Sequence, residues 1–270
     1  MPELPEVETL VSELAPEMVG RRITEVILHW RGCVAELDPD VFCQQLTGET
    51  VVQVTRRGKY LVFRLESGQT LLIHLRMTGR LEIHGGRPQP HPHTRLVLRL
   101  DDGRYLHFQD QRKFGRVYLV ADTAHILSRL GPEPLDDAFT DNVLVATLSG
   151  RKASIKALLL NQRLIAGLGN IYADEALFRA GIDPRKPGGN LTREEVKRLC
   201  AAIRETLMAA IMARGTTLSD YRQANGSEGN FQKQLRVFRR ENQPCPRCGT
   251  PIQRIRLVQR STYFCPHCQT

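Results

Sequence analysis

From Glu6 to Met18 the apolar positions Val7, Leu10, Val11 and Leu14 recur at helical spacing, and Gly20 stands where such a helix would stop. Beyond it the period shortens. Thr50–Thr55, Tyr60–Leu65, Thr70–Leu75, Arg95–Leu100, Tyr105–Phe108 and Arg116–Val120 are short, apolar and rich in β-branched residues. Turn clusters such as Glu66-Ser67-Gly68 and Asp101-Asp102-Gly103 separate several of them, so Ile23 to Val120 reads as a sandwich or barrel of short strands. Pro88 to Pro92 reads as an irregular loop. Gly131-Pro132-Glu133-Pro134 reads as a stiff hinge, after which helical spacing takes over at Phe139–Leu148, Ser154–Asn161, Asn170–Ala180 and Arg193–Arg214, the last entered at Thr192. Gly215 to Gly229 is rich in glycine, serine and asparagine and predicts a flexible loop.

Composition narrows the class. With 270 residues the chain has room for two domains, and 41% apolar residues suit a folded protein. Lysine and arginine outnumber the acids 38 to 29. The excess is concentrated at the end: from Phe231 to Thr270 Glu241 is the only acid, against Lys233 and seven arginines. That distribution fits a polyanion such as nucleic acid. No apolar run is long enough to span a bilayer, and acids appear too early for a signal peptide. Cys33, Cys43 and Cys200 are scattered without pattern, as in a reducing cytosol.

The other four cysteines are ordered. Cys245-x2-Cys248 and Cys265-x2-Cys268 lie sixteen residues apart, within the spacing of a four-cysteine zinc site, and prolines and a glycine tighten each turn. Four thiolates leave no open coordination position, so the ion would be structural. Iron–sulfur ligation is the rival, and the spacing matches none of its common patterns. Between the pairs, Gln253–Val258 and Ser261–Phe264 alternate as a hairpin with Arg260 near its tip. There it could grip phosphate or simply be solvated.

Two further segments carry candidate chemistry. In Met1-Pro2-Glu3-Leu4-Pro5-Glu6, removal of Met1 would leave Pro2 a secondary amine able to attack carbon, with Glu3 and Glu6 near for proton transfer. A chain-terminal amine titrates near ~8 against ~10.4 for lysine, so far more of it is neutral. An ordinary terminus with an acid-rich first turn explains the same residues. Ile165-Ala166-Gly167-Leu168-Gly169-Asn170 opens a helix whose backbone amides could receive a phosphate; Asn170 as a plain N-cap is the alternative.

Taken together with Arg57-Gly58-Lys59-Tyr60, His74-Leu75-Arg76-Met77-Thr78-Gly79 and Arg112-Lys113-Phe114-Gly115, these segments make the whole chain resemble the formamidopyrimidine-DNA glycosylase family of bacterial base-excision repair. Leu4 stands where the related endonuclease VIII branch usually has glycine, which points to oxidised purines. The resemblance implies an α+β fold in two domains: an N-terminal β-sandwich with a leading helix, then a helix-two-turns-helix domain plus a four-cysteine zinc finger. By chain order the modules would be 1–131, 132–228 and 229–270. A protein that binds damaged DNA without cutting it would share the charge and the zinc site, but would have no use for a free prolyl amine.

The resemblance also implies roles. Pro2 would attack C1′ of an everted nucleotide and form a Schiff base, Glu3 would supply a proton, and Glu6 would support the amine and its waters. Lys59 matches the proton donor, and Arg260 the phosphate-binding position, for strand cleavage by β,δ-elimination. Asn170, His93, Arg112, Arg151, Lys152 and Lys156 would contact DNA. Met77, Arg112 and Phe114 would fill the void left by the flipped base. Cys245, Cys248, Cys265 and Cys268 would hold one structural Zn2+, with no redox or nucleotide cofactor. The expected partner is double-stranded DNA containing oxidised purines or abasic sites, bound by a monomer in a bacterial cytoplasm at the nucleoid, without a membrane. Two departures stand out: Asn161 replaces the usual aspartate, and Val237–Asn242 lacks the usual tyrosine and glycine pattern.

Overall fold

A computed structural model describes residues 2–86 and 91–270. Residues 87–90, which cover most of the loop expected over Pro88–Pro92, and Met1, whose removal the amine chemistry needs, lie outside the described residues. The chain forms two compact units: Met1–Ser128 with Ile211–Gln232, and Arg129–Ala210 with Lys233–Thr270.

The first unit begins with α1 (Leu4–Met18), whose apolar stripe Val7, Leu10, Leu14 and Met18 is fully buried. Its strands are β1 (Ile23–Leu28), β2 (Val51–Arg57), β3 (Tyr60–Leu65), β4 (Thr70–His74), β5 (Gly79–His84), β6 (Thr94–Leu100), β7 (Tyr105–Asp110) and β8 (Arg116–Val120). They make two antiparallel four-stranded sheets, ordered β1-β6-β7-β5 and β2-β3-β4-β8. One core joins them: Leu61, Phe63, Leu71 and Ile73 from one sheet pack with Leu96, Leu98, Leu106 and Phe108 from the other and with the α1 stripe. Alternation in strands such as β8 puts Val117 and Leu119 inward, and burial on this scale is the main favourable term in folding.

Short helices α2 (Pro39–Leu46) and α3 (Ala124–Leu127) complete the first unit; Asp38 caps α2 and Pro39 sits at its first position. The segment after Gly215 was expected to be flexible. Instead it buries Tyr221 and Ala224 in the sandwich core, and the Ile83 N–H donates to the Ala224 carbonyl at 3.0 Å. Its polar composition hid these two anchors.

The second unit holds α4 (Asp141–Leu148), α5 (Ile155–Leu160), α6 (Asn170–Ala180) and α7 (Arg193–Met212), the last running on into the first unit's segment. Thr140 and Ser154 cap α4 and α5, and Thr192 with Glu195 forms a reciprocal capping box on α7. Gly181 closes α6 in the left-handed conformation at φ +73°. The expected hinge is pinned: the Gly131 N–H donates to the Gln162 carbonyl, and a Cβ on Gly131 would meet the Leu164 backbone at 2.5 Å. The hairpin β9 (Gln253–Leu257) and β10 (Arg260–Phe264) ends the chain, β10 lying against α6.

Candidate active site and nucleic-acid interface

In the first unit Pro2 is buried immediately before α1, and Glu3 is the cap residue, 2% exposed. The Glu3 N–H donates to Glu6 Oε2 at 2.8 Å, and the Thr216 N–H donates to Glu6 Oε1 at 2.8 Å. Glu6 therefore ties the backbone behind Pro2 to the start of the 215–229 segment. Gly215 is needed at that contact, because it sits at φ +82° and a Cβ would come within 3.0 Å of Glu6.

Lys59 lies at the tip of the β2–β3 hairpin. Gly58 at φ +57° supplies the left-handed first turn residue, and Lys59 is 6% exposed. Nearby His74 packs edge-on to Tyr60 at 4.6 Å and accepts the Arg76 N–H on Nδ1. Loss of water around the ring, then the charges of Arg76 and Lys59, push its pKa down to about 3. The ring is neutral, with its proton on Nε2.

Met77, Arg112 and Phe114 lie together. Arg112 Nη1 lies 3.1 Å from Met77 Sδ, and the guanidinium sits 4.6 Å over the Phe114 ring. Phe114 is 46% exposed, a poor position for a core residue and a suitable one for a wedge. His93 is half-buried beside exposed His91, with ring centroids 5.1 Å apart.

In the second unit Asn170 opens α6 and donates from Nδ2 to the Ser261 carbonyl at 3.0 Å; its buried Oδ1 has no hydrogen-bond partner among the described residues. Gln162, which the sequence reading passed over, braces the preceding loop. It accepts the Gly167 N–H and donates to the Leu168 carbonyl, fixing a turn in which Gly167 adopts φ +84°. Asn161 accepts the Arg163 N–H at 3.0 Å, a turn that a neutral amide makes as well as a carboxylate.

Lys156 requires a correction. It was expected at the DNA, but its side chain is fully buried, with Nζ 2.6 Å from Asp174 Oδ1 and 3.1 Å from the Ser261 carbonyl. Burial pushes the Asp174 carboxyl up to about 7, against the pull of Lys156 and the Tyr263 amide. Lys156 thus supports the strand that follows Arg260 rather than reaching out. Arg151 and Lys152 are exposed, and Arg151 Nε donates to the Thr147 carbonyl. Arg260 is exposed at the start of β10, after Val258 and Gln259 at φ +47° and +59°.

The four cysteine sulfurs lie within 4.8 Å of one another. Cys245–Cys268 and Cys248–Cys265 are 3.9 and 3.5 Å apart, close to the ~3.8 Å edge of a tetrahedron built on ~2.3 Å zinc–sulfur bonds. Backbone N–H groups of Arg247 and Cys268 point at Cys245 and Cys265 sulfur, as a bound thiolate requires. The set fits zinc. Around it Glu175, which the sequence reading also missed, accepts the N–H groups of Arg236, Val237 and Phe238 at 2.9, 3.0 and 2.9 Å. This clamp orders the atypical 237–242 segment without a tyrosine or glycine. Three successive backbone donors meeting one buried carboxylate leave no signature in sequence spacing.

Residues 1–117 match the formamidopyrimidine-DNA glycosylase N-terminal domain, 130–222 the H2TH domain of the same enzymes, and 242–270 the zinc finger found in FPG and IleRS. A formamidopyrimidine-DNA glycosylase of Desulfitobacterium hafniense is 48% identical over 273 residues, covering all of both chains. The chain belongs to the formamidopyrimidine-DNA glycosylase family. It is accordingly a DNA glycosylase and lyase of base-excision repair, with one structural zinc site. The crystal structure of the FPG protein from Thermus thermophilus is similar with a TM-score of 0.90 at 45% identity, covering 99% of this chain and 98% of that one. A Lactococcus lactis FPG mutant in complex with a Fapy-dG containing DNA has a TM-score of 0.93 at 35% identity over the full length of both. No helix among the described residues is long and apolar enough to cross a membrane.

Proposed function

We propose that Pro2, freed of Met1, is the nucleophile, and that the substrate is duplex DNA carrying oxidised purines such as 8-oxoguanine and formamidopyrimidines, or abasic sites. The prolyl nitrogen forms a bond to C1′ while the bond from C1′ to the base breaks; Glu3 supplies the proton that ring opening or base departure needs. The resulting iminium acidifies the C2′ proton. Its loss expels the 3′ oxygen, and a second elimination expels the 5′ oxygen, so the electrons balance without an external oxidant or reductant. Lys59 donates protons in these steps, and Arg260 and Asn170 hold phosphate. His93, Arg151 and Lys152 add contacts to the backbone, and Met77, Arg112 and Phe114 occupy the vacated stack.

The observation that carries this reading is the clamp behind Pro2. Glu6 spends both carboxylate oxygens on the Glu3 and Thr216 amides, so the backbone that bears the prolyl nitrogen is fixed before substrate arrives. Module 1–131 carries the chemistry together with the 211–228 part of module 132–228, which packs in the first unit, while the rest of 132–228 grips the strand and 229–270 adds zinc-stapled phosphate contact. Leu4 supports the purine preference. The setting is the bacterial cytoplasm at the nucleoid, with the chain acting as a monomer.

The test is borohydride trapping on duplexes bearing 8-oxoguanine or thymine glycol, with the adduct mapped by mass spectrometry. The expected result is a crosslink on Pro2, stronger for the purine lesion and removed by Pro2→Gly. A crosslink on another residue of the processed wild-type chain overturns the amine mechanism, and stronger trapping by thymine glycol overturns the purine preference.

A further inference from the structure

Asp110 ends β7 with its side chain 1% exposed, although it belongs to none of the groups assigned above. Its Oδ1 accepts the Thr78 hydroxyl at 2.5 Å and the Arg112 N–H at 3.2 Å, and its Oδ2 accepts the Gly115 N–H at 2.7 Å. The Thr78 hydroxyl also accepts the Arg112 N–H at 3.2 Å. The main chain of the same residue reaches a third segment: the Asp110 N–H donates to the His93 carbonyl at 2.8 Å, and its carbonyl accepts Arg95 Nε at 2.8 Å. Through its carboxylate Asp110 thus joins the segment carrying Met77 to the turn carrying Arg112 and Phe114, and through its main chain it also holds His93.

The joint is tight. Gly115 packs so closely that a Cβ would lie 2.4 Å from Phe108 Cζ and 3.2 Å from Asp110 Oδ2. Gly79, opposite Asp110 in the β5–β7 pairing, has the Leu75 carbonyl oxygen 2.3 Å from where its Cβ would be. Lys113, between the two wedge residues of the turn, is held at φ +59°, a conformation that costs energy in a non-glycine residue. A carboxylate accepting several donors is the kind of group that keeps such a turn in place, since charge-assisted hydrogen bonds are stronger than neutral ones.

We infer that Asp110 is the positioning residue of the Met77–Arg112–Phe114 wedge: it holds the three side chains in register so that they can replace an everted base. The inference rests on the void-filling role proposed above for that trio. Asp110 has no part in bond making, so its loss should be felt where a base must be drawn from a duplex and not where the sugar is already accessible.

The experiment compares wild type, Asp110→Asn, Thr78→Val, Thr78→Ser, Phe114→Ala and the Asp110→Asn/Phe114→Ala pair in the full-length, zinc-loaded chain. Two rates are read: excision of 8-oxoguanine from a duplex, and borohydride trapping on a single-stranded abasic oligonucleotide. Asp110→Asn should lower duplex kcat/KM by about tenfold or more, as loss of one charge-assisted bond implies, and leave trapping within about twofold. In the Phe114→Ala background it should add little, because residues acting as one unit are not additive. Thr78→Val should show the same split more weakly and Thr78→Ser should restore the rate, which keeps the question open to test if Asp110→Asn folds poorly. Parallel loss of both rates in Asp110→Asn and Thr78→Val, or full additivity with Phe114→Ala, overturns the inference. Unchanged duplex excision in Phe114→Ala overturns the wedge role itself and the inference with it.

Discussion

Lys156 and Asp174 are buried against each other: Nζ lies 2.6 Å from Oδ1, and neither side chain is exposed. Each partner also holds β10, Lys156 through the Ser261 carbonyl and Asp174 through the Tyr263 N–H at 3.0 Å. Removing one charge strands the other in a dry site. Lys156→Ala should therefore cost about 3–5 kcal/mol in urea unfolding, whereas a paired Lys156→Met/Asp174→Leu change should cost less. Amide exchange at Tyr263 should quicken in the single variant. A loss below ~1 kcal/mol would mean that the pair does not brace the hairpin.

The zinc site holds more than its own loop. Cys245 and Cys265 are buried with Phe178, Val237 and Ile252 in one small core, and Arg247 lies 4.5 Å over Phe178 while donating to the Phe178 and Arg179 carbonyls at the end of α6. Hydrogen bonds from Thr250 pull the Cys248 thiol down, whereas burial and then the neighbouring thiols push Cys268 up; four thiolates within 4.8 Å of one another repel unless a cation lies among them. Chelation should release one zinc per chain and loosen this core, abolishing DNA binding, while hydrogen exchange in β2, β3 and β4 stays slow. Unchanged DNA affinity after verified metal loss would contradict the assignment.

Much of this was legible from sequence where a residue type punctuates the chain. α6 spans Asn170–Ala180 as its helical spacing predicted, and the cysteine pairs announced their own geometry. Four short elements were missed: β1, α2, β5 and α3. The β5 strand alternates buried Leu81 with half-buried Arg80 and Glu82, but it directly follows a motif read as a unit; α2 has only Phe42 and Leu46 buried. The supporting acids were harder to see. Asp110, Asp174 and Glu175 act on backbone N–H groups brought near by folding, and only the Asp110-to-Arg112 bond is a local turn pattern that sequence chemistry could suggest. Lys156 was misplaced for the same reason: a lysine near a basic run reads as exposed until its buried partner is known.

The turn before Arg260 is costly as built. Val258 and Gln259 both hold positive φ, the sign pattern of a type I′ hairpin turn, which favours Asn-Gly and disfavours a β-branched residue. The double change Val258→Asn with Gln259→Gly should stabilise the zinc hairpin by about 1–2 kcal/mol, the left-handed penalty per residue. Urea unfolding with zinc bound measures it. A destabilised hairpin would show that Val258, 61% exposed, contributes something other than turn geometry.

Stability should also fall in mild acid through the β5–β7 pair. His107 is 3% exposed on β7, its ring 4.9 Å from that of His84, and its buried Nε2 has no hydrogen-bond partner among the described residues. Loss of water, then the neighbouring His84 and His29, push its pKa down to about 4. Because the folded value lies below the ordinary ~6.5, the unfolded chain binds the proton first. His107 should therefore cost nothing above about 6.5, and folding stability should decline as pH drops from there toward 4. His74, depressed to about 3, acts with the same sign over a window reaching lower. In His107→Gln the fall between pH 6.5 and 4 should be shallower than in wild type by urea unfolding at fixed salt, with His74 left to supply the remainder. Identical slopes in the two proteins would remove His107 as a source of acid sensitivity.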